Sequence, residues 1–273
     1  MTASEYYCAG KLEDATAAAI RDVKAEPGAI DRRCFLSDLL CFAGDLERAD
    51  RQLDAAAQLS TPPVPAVALR RQLLRAEQAR REFFAQGRLP EFLDQPTGEL
   101  RLRIKASIAL REGALDAFAE FLTQAEDLRP ALCGVCNDQP FSTFSDLDEF
   151  TSSFFEVFTA TGKYYWIPSD CVERIEFLAP GTTQDLLWRC ARITLPASGG
   201  LPPNGVVYFP TLYHGSHANP DNRIKLGRLT DWTGGGEAPF RGLGQRVFVA
   251  DGREVPILDF TRLEFCRPAP EKV

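Results

Sequence analysis

The sequence predicts an α+β protein of two domains. Tetratricopeptide-like helical repeats are expected over residues 1–130, and a mainly antiparallel β domain with a few short helices over 131–273. Three observations predict this. Gly10-Lys11-Leu12-Glu13-Asp14-Ala15 returns as Gly44-Asp45-Leu46-Glu47-Arg48-Ala49, so Gly and Ala recur after 34 residues, the period of tetratricopeptide-type helix-turn-helix repeats. Composition then changes at Pro130: all 3 Trp, 12 of the 19 Phe, 14 of the 20 Gly and 12 of the 19 Pro lie beyond it, a mixture that suits short strands and turns. Finally, two stretches of that second half read as hairpins, one around Gly162 and one around Asp251-Gly252.

The first half reads as helix after helix. The helix that follows Gly10 ends before Pro27, the one after Gly44 before Pro62, and a third copy runs from Gly113-Ala114-Leu115 to Pro130. Glycine relieves crowding at the turn, and the small Ala lets two helices approach. Proline ends the second helix because it has no N–H to donate and clashes with the preceding turn. Little chain precedes Gly10, so the opening helix must be short. Residues 33–43 keep Phe35, Leu36, Leu39, Leu40 and Phe42 on one apolar stripe. A helix over 45–59 follows, and Pro62-Pro63-Val64-Pro65 breaks the chain. A long helix is expected over 66–85, a short one over 90–93, and a last pair over 99–110 and 114–127. The long helix carries Arg70, Arg71, Arg75, Arg80 and Arg81. They form either a solvated face beside Glu77 and Glu82 or an electropositive groove for an acidic helix, with Arg71 and Arg75 as its candidate contacts.

In the second half, strands are expected over 154–158 and 164–167, joined by a turn at Thr161-Gly162-Lys163. Another hairpin pairs 246–250 with 253–258, where Asp251-Gly252 supplies the positive φ angles of a tight turn. Further strands are expected over 173–178, 188–195, 206–209 and 263–265, with short helical turns over 169–172 and 182–187. Gly234-Gly235-Gly236 and Gly242-Leu243-Gly244 read as a mobile loop, since no Lys-Ser/Thr follows to make a phosphate cradle.

Charge and composition exclude several classes. The chain carries 31 basic and 38 acidic side chains, a balance of −7, so the cationic surface that nucleic-acid binding requires is not expected. No run of ~18 apolar residues offers a membrane span. The start, Met1-Thr2-Ala3-Ser4-Glu5, lacks the basic and apolar segments of an export signal. A cytoplasmic protein with reduced cysteines is expected. Cys133 and Cys136 have the spacing of a zinc knuckle or redox pair, and His214 and His217 could complete four ligands. Their long separation matches no compact finger, so they are weak candidates, and neither a metal nor another cofactor is expected. With two histidines and no nucleophile signature, the chain does not read as an enzyme. One alternative is a generic repeat scaffold whose second domain recognises a different protein partner; the other is a hydrolase-like site between the domains using carboxylates near Asp185 and Asp231.

Several phrases, in order, resemble the signature of the ImpE family, also called SciE-type virulence proteins or TagJ accessory proteins of type VI secretion. They are Gly162-Lys163-Tyr164-Tyr165-Trp166-Ile167-Pro168, Asp185-Leu186-Leu187-Trp188-Arg189, Phe209-Pro210-Thr211-Leu212-Tyr213, Leu226-Gly227-Arg228-Leu229-Thr230-Asp231-Trp232 and Gly242-Leu243-Gly244-Gln245-Arg246. In the first half, residues 39–49 and Arg75-Ala76-Glu77 also resemble the family. The resemblance implies a non-enzymatic adaptor encoded with a contractile type VI apparatus. It implies binding of the N-terminal helix of the small sheath subunit, with an indirect link to the ClpV ATPase. Asp148-Glu149-Phe150 departs from the family's phrase, which puts an ion pair there in doubt, and the Cys133/Cys136 pair is not a family feature.

The motif residues suggest two roles. Arg189, Arg228 and Arg246 can fork onto carboxylates such as Asp185 or Asp231 and fix loops, while Trp188 and Trp232 can anchor the core. Alternatively Arg228, Thr230, Asp231, Trp232, Gln245 and Arg246, with Asp185 and Trp188, line a surface patch used by a partner, because binding residues often sit in glycine-rich stretches.

Overall fold

The structure is a computed structural model that describes residues 1–62, 64–196, 204–236 and 238–266. Pro63, one of the expected chain-breaking prolines, lies outside them. Helices α1 (Ala3–Cys8), α2 (Leu12–Ala25), α3 (Ile30–Phe42), α4 (Leu46–Ala57) and α5 (Pro65–Gln86) are followed by a two-residue strand β1 (Glu91–Phe92) and by α6 (Gly98–Arg111) and α7 (Leu115–Asp127). The repeat has a definite physical basis. Gly10, Gly44 and Gly113 sit at φ +76°, +83° and +73°. In each case the next residue's N–H reaches back to a carbonyl five residues earlier, Lys11 to Tyr6, Asp45 to Leu40 and Ala114 to Ala109, at 2.9–3.0 Å. These are Schellman endings, which glycine alone enters without strain. The two repeated alanines, Ala15 and Ala49, are fully buried between the helices.

The expected short helix over 90–93 is instead β1, which pairs in parallel with β6 (Tyr164–Pro168) of the second half. Sheet pairing outweighs local propensity here, because Pro90 and the two-residue length leave no helical turn to nucleate.

The second half builds β2 (Cys133–Cys136), β3 (Gln139–Phe141), β4 (Phe144–Asp146), β5 (Phe154–Thr159), β6, β7 (Arg174–Phe177), β8 (Trp188–Thr194) and β9 (Asn204–Pro210). After a short α8 (Asn222–Lys225) come β10 (Thr230–Gly235), β11 (Ala238–Gly244), β12 (Val247–Ala250), β13 (Arg253–Pro256) and β14 (Arg262–Cys266). Among the described residues nine strands form one sheet in the order β1-β6-β5-β9-β8-β7-β14-β2-β3, antiparallel except at β1. Strands β13-β12-β4 form a second sheet and β10-β11 a separate ribbon. The residues expected to be a mobile glycine-rich loop are therefore mostly this ribbon. Gly242 is needed there because a Cβ would collide with the Tyr213 ring.

Strand β5 shows how the layers are made. Phe154, Glu156 and Phe158 face the helices, while Phe155 and Val157 face the other way, the two-residue alternation of a pleated strand. The helix-facing side joins Tyr164, Trp166, Trp188 and Tyr208 to the helical core in one hydrophobic cluster. The opposite side packs on Phe144, Phe248 and Val255 of the three-stranded sheet. Helices, large sheet and small sheet thus stack as three layers, and the hydrophobic core runs on across Pro130.

Candidate functional site

In each of the first helix pairs the leading helix, α1, α3 or α5, presents a face to the β half. Most of that face is taken. Phe83 of α5 meets Trp166 edge-on at 4.8 Å, and Trp166 stacks on Phe154 at 4.1 Å. Beside them Arg80 grips Glu156 with two hydrogen bonds of 2.9 and 2.8 Å, and both side chains are buried. Arg246 Nη1 approaches the same carboxylate at 3.1 Å, while its Nη2 and Nε lie 2.9 and 3.1 Å from Asp146 Oδ2. Tyr213 donates to Asp146 Oδ1 (2.6 Å), Tyr164 to Glu156 Oε1 (2.5 Å), and Trp166 Nε1 to the Tyr164 hydroxyl (2.6 Å). Burial pushes the Glu156 carboxyl up, but Arg80 and Arg246 outweigh it and hold the pKa at about 2. Burial wins at Asp146, pushed up to about 6 against the pull of Arg246. Further along, Arg103 of α6 is fully buried on Glu99 and donates to the Glu149 and Phe150 carbonyls at 2.6 and 2.8 Å.

One part of the face is open. Between α3 and the N-terminal end of α5 lies a groove of about 700 Å³, walled by Ile30, Cys34, Phe35, Val64, Ala66 and Val67 and bounded by Thr182 and Thr183. At its floor Arg70 meets Asp38 at 3.1 Å, and burial pushes the Asp38 pKa up to about 6 despite that partner. Asp31 stands exposed on the rim. A cavity of about 30 Å³ near Glu77, Arg80 and His217 has room for little more than a water molecule.

The arginines of α5 do not make an electropositive groove. Arg70 pairs with Asp38, and Arg71 with Asp50 and Asp54 at 3.1 and 3.0 Å. Arg80 pairs with Glu156, and Arg81 with Glu77 and the Gly44 carbonyl. Arg75 is exposed and reaches Gln72 at 3.3 Å. The expected solvated face survives only at Arg75 and in the Arg81–Glu77 pair, since most of these side chains bind other elements.

The four weak zinc candidates are not brought together. Cys133 and Cys136, three residues apart on β2, are exposed and buried respectively. His214 stacks on Phe84 at 4.0 Å, and His217 packs over Gly44. Burial depresses the pKa of both histidines, His214 the more strongly. Among the described residues no group of three or more His, Cys, Asp or Glu is placed to hold a metal ion. No helix among them is long and apolar enough to cross a membrane.

The fold is shared with a protein of known structure, and the sequence with a known family. A family model described as "ImpE protein" matches residues 138–264. A Pseudomonas aeruginosa protein described as "Type VI secretion system accessory component TagJ" is 32% identical over 265 residues, which are 97% of this chain and 91% of that protein. This chain belongs to the ImpE family. The crystal structure of protein VPA1032 from Vibrio parahaemolyticus matches it with a TM-score of 0.87 at 25% identity, covering 97% of this chain and 98% of that one.

The ImpE phrases now have places. Of the surface patch expected from them, Thr230, Asp231, Trp232 and Gln245 do gather on and beside β10. Thr230 donates to the Gln245 carbonyl at 2.7 Å, and Trp232 lies against Tyr213 at 5.7 Å. Arg246 is buried in the junction and Trp188 in the core, so neither belongs to a surface. None of the three motif arginines forks onto Asp185 or Asp231. Arg189 donates to the Leu178, Leu258 and Phe260 carbonyls. Arg228 donates to the Tyr7 and Cys8 carbonyls at 2.5 and 2.9 Å and lies over the Tyr7 ring, capping α1. Asp185 accepts from Gly181 and Thr182 within its own turn, and Asp231 is exposed on the ribbon, where it accepts from the Trp232 N–H. The departure at 148–150 keeps an ion pair after all, because Asp148 meets Arg241 at 3.0 Å. Sequence reading missed Arg80, Arg103, Asp146, Glu156 and Tyr213 as a set. The one available signal was a charged Glu156 within the apolar run Phe154–Phe158.

Proposed function

We propose that this ImpE-family chain is a non-enzymatic accessory component of a type VI secretion system that holds an amphipathic helix of a partner in the α3–α5 groove. The open groove itself carries the reading. Its apolar walls suit a helix with an apolar stripe, and Asp31 on the rim suits a basic flank. The occupant we favour is the N-terminal helix of the small sheath subunit, bound in the cytoplasm, with any contact to the ClpV ATPase made indirectly through that subunit. Similarity to the protein described as a type VI accessory component supports the setting. Of the carboxylates of the enzyme alternative, Asp185 accepts from Gly181 and Thr182 in its own turn, and Asp231 accepts from the adjacent Trp232 N–H on the exposed ribbon.

The test is a calorimetric titration of the whole chain with a peptide of that helix, beside a scrambled peptide. Saturable binding at low micromolar Kd, absent with the scramble and lost in Ala66→Trp, supports the groove. Binding that survives Ala66→Trp moves the site elsewhere, and no binding at all rejects this occupant.

A further inference from the structure

The sequence pairs Cys133 with Cys136, but the fold pairs it with another cysteine. Strand β2 runs antiparallel to β14, and the register places Cys133 directly opposite Cys266. Opposed residues on antiparallel strands have Cα atoms about 4.5–5.5 Å apart with side chains on the same face, inside the range a disulfide spans. The Cys133 thiol already leans across the ladder, 3.7 Å from the Cys266 carbonyl. Both cysteines are exposed. Cys136 lies an odd number of residues along the same strand, so it points to the other face and is buried. The Cys-x-x-Cys spacing therefore cannot close while β2 remains a strand.

We propose that Cys133 and Cys266 form a reversible cross-strand disulfide on exposure to a small-molecule disulfide oxidant such as oxidised glutathione. The Cys133 thiolate attacks one glutathione sulfur, giving a mixed disulfide and releasing one glutathione thiolate. The Cys266 thiolate then attacks the Cys133 sulfur and releases the second. Two protein thiols are oxidised, one glutathione disulfide is reduced, and the two thiol protons pass to the departing glutathiones. The bond would join the first strand of the β half to its last. A covalent ring enclosing that half stabilises it by restricting the unfolded chain.

The experiment uses the whole protein, treated with oxidised glutathione, alkylated without reduction, digested and read by mass spectrometry. We expect one Cys133–Cys266 linked peptide and loss of two alkylatable thiols from the eight in the chain. The melting temperature should rise by ~5 °C and return with dithiothreitol. Cys133→Ser and Cys266→Ser should each abolish the rise, while Cys8→Ser should retain it. A Cys133–Cys136 bond, a stable glutathione adduct on Cys133, a disulfide-linked dimer, or no reaction overturns the proposal.

Discussion

The two ends of α5 present the same helix to two different fates. Its C-terminal end, around Arg80 and Phe83, is sealed under the β half by ring packing and a buried ion network. Its N-terminal end, around Ala66 and Arg70, is left facing an open apolar groove. Helical repeats usually offer such a face to another molecule. Here the chain's own sheet takes most of it, and the α3–α5 groove is the part left for the partner we propose. The difference teaches that charge on a repeat helix is a poor guide to its ligand. The arginines that look available are mostly joined to other parts of the same molecule.

The comparison predicts a steep gradient in mutational cost along α5. The largest effect is expected at the sealed end. Glu156→Ala leaves Arg80 and Arg246 buried beside each other without their shared carboxylate and should cost about 3–5 kcal/mol in urea unfolding. A loss under 1 kcal/mol would mean that water enters the junction and that the seal is not dry. Phe83→Ala should cost a similar amount, about 3–5 kcal/mol, because its fully buried ring packs against Phe84, Phe150 and Trp166.

Acidity sharpens the contrast within the network. Asp146 has a folded pKa raised to about 6, so its contribution to stability is full below its unfolded value near 3.8 and is lost as pH rises through 6. Glu156, held at about 2, contributes above 4.5 and loses that contribution as pH falls toward 2. Between pH 4.5 and 7 only the first effect operates of these two. Asp146→Asn should therefore reduce the stability the protein gains at pH 4.5 over pH 7, by on the order of 1 kcal/mol. Equal pH dependence in both proteins would contradict the raised value.

Arg228→Ala removes two hydrogen bonds and a ring contact at the end of α1 and should cost about 1 kcal/mol. Faster amide exchange should be confined to α1. The smallest effect on stability is expected in the groove, where Ala66→Trp should shift unfolding by no more than about 0.5 kcal/mol while abolishing partner binding. A large destabilisation there would show that the groove belongs to the packed core.

The helices and most long strands were legible because their signals are local. Glycine at 10, 44 and 113, proline after each pair, and Asp251-Gly252 between two apolar runs each act within a few residues. Asp251 and Gly252 indeed take φ +48° and +76°. The ribbon was not legible, because its glycines make room for distant groups such as the Tyr213 ring. The second two-residue hairpin turn, Asn137-Asp138 at φ +49° and +65°, lacks a glycine and passed unnoticed for that reason. Arg246 read as a surface residue because its partners, Asp146 and Glu156, are set by tertiary packing a hundred or so residues away. The groove was foreseen only as a kind of surface, since its position depends on where the sheet stops.

Strand β1 gives the architecture a consequence for inheritance. Two residues lying between helices α5 and α6 finish one margin of the large sheet by lying against β6. A fragment starting after Pro130 would present β6 bare, an open margin able to recruit a strand from a neighbouring molecule. The β half should then self-associate when made alone. Gene rearrangement could not easily hand it on as a separate cassette, because its border is written in the other half of the chain.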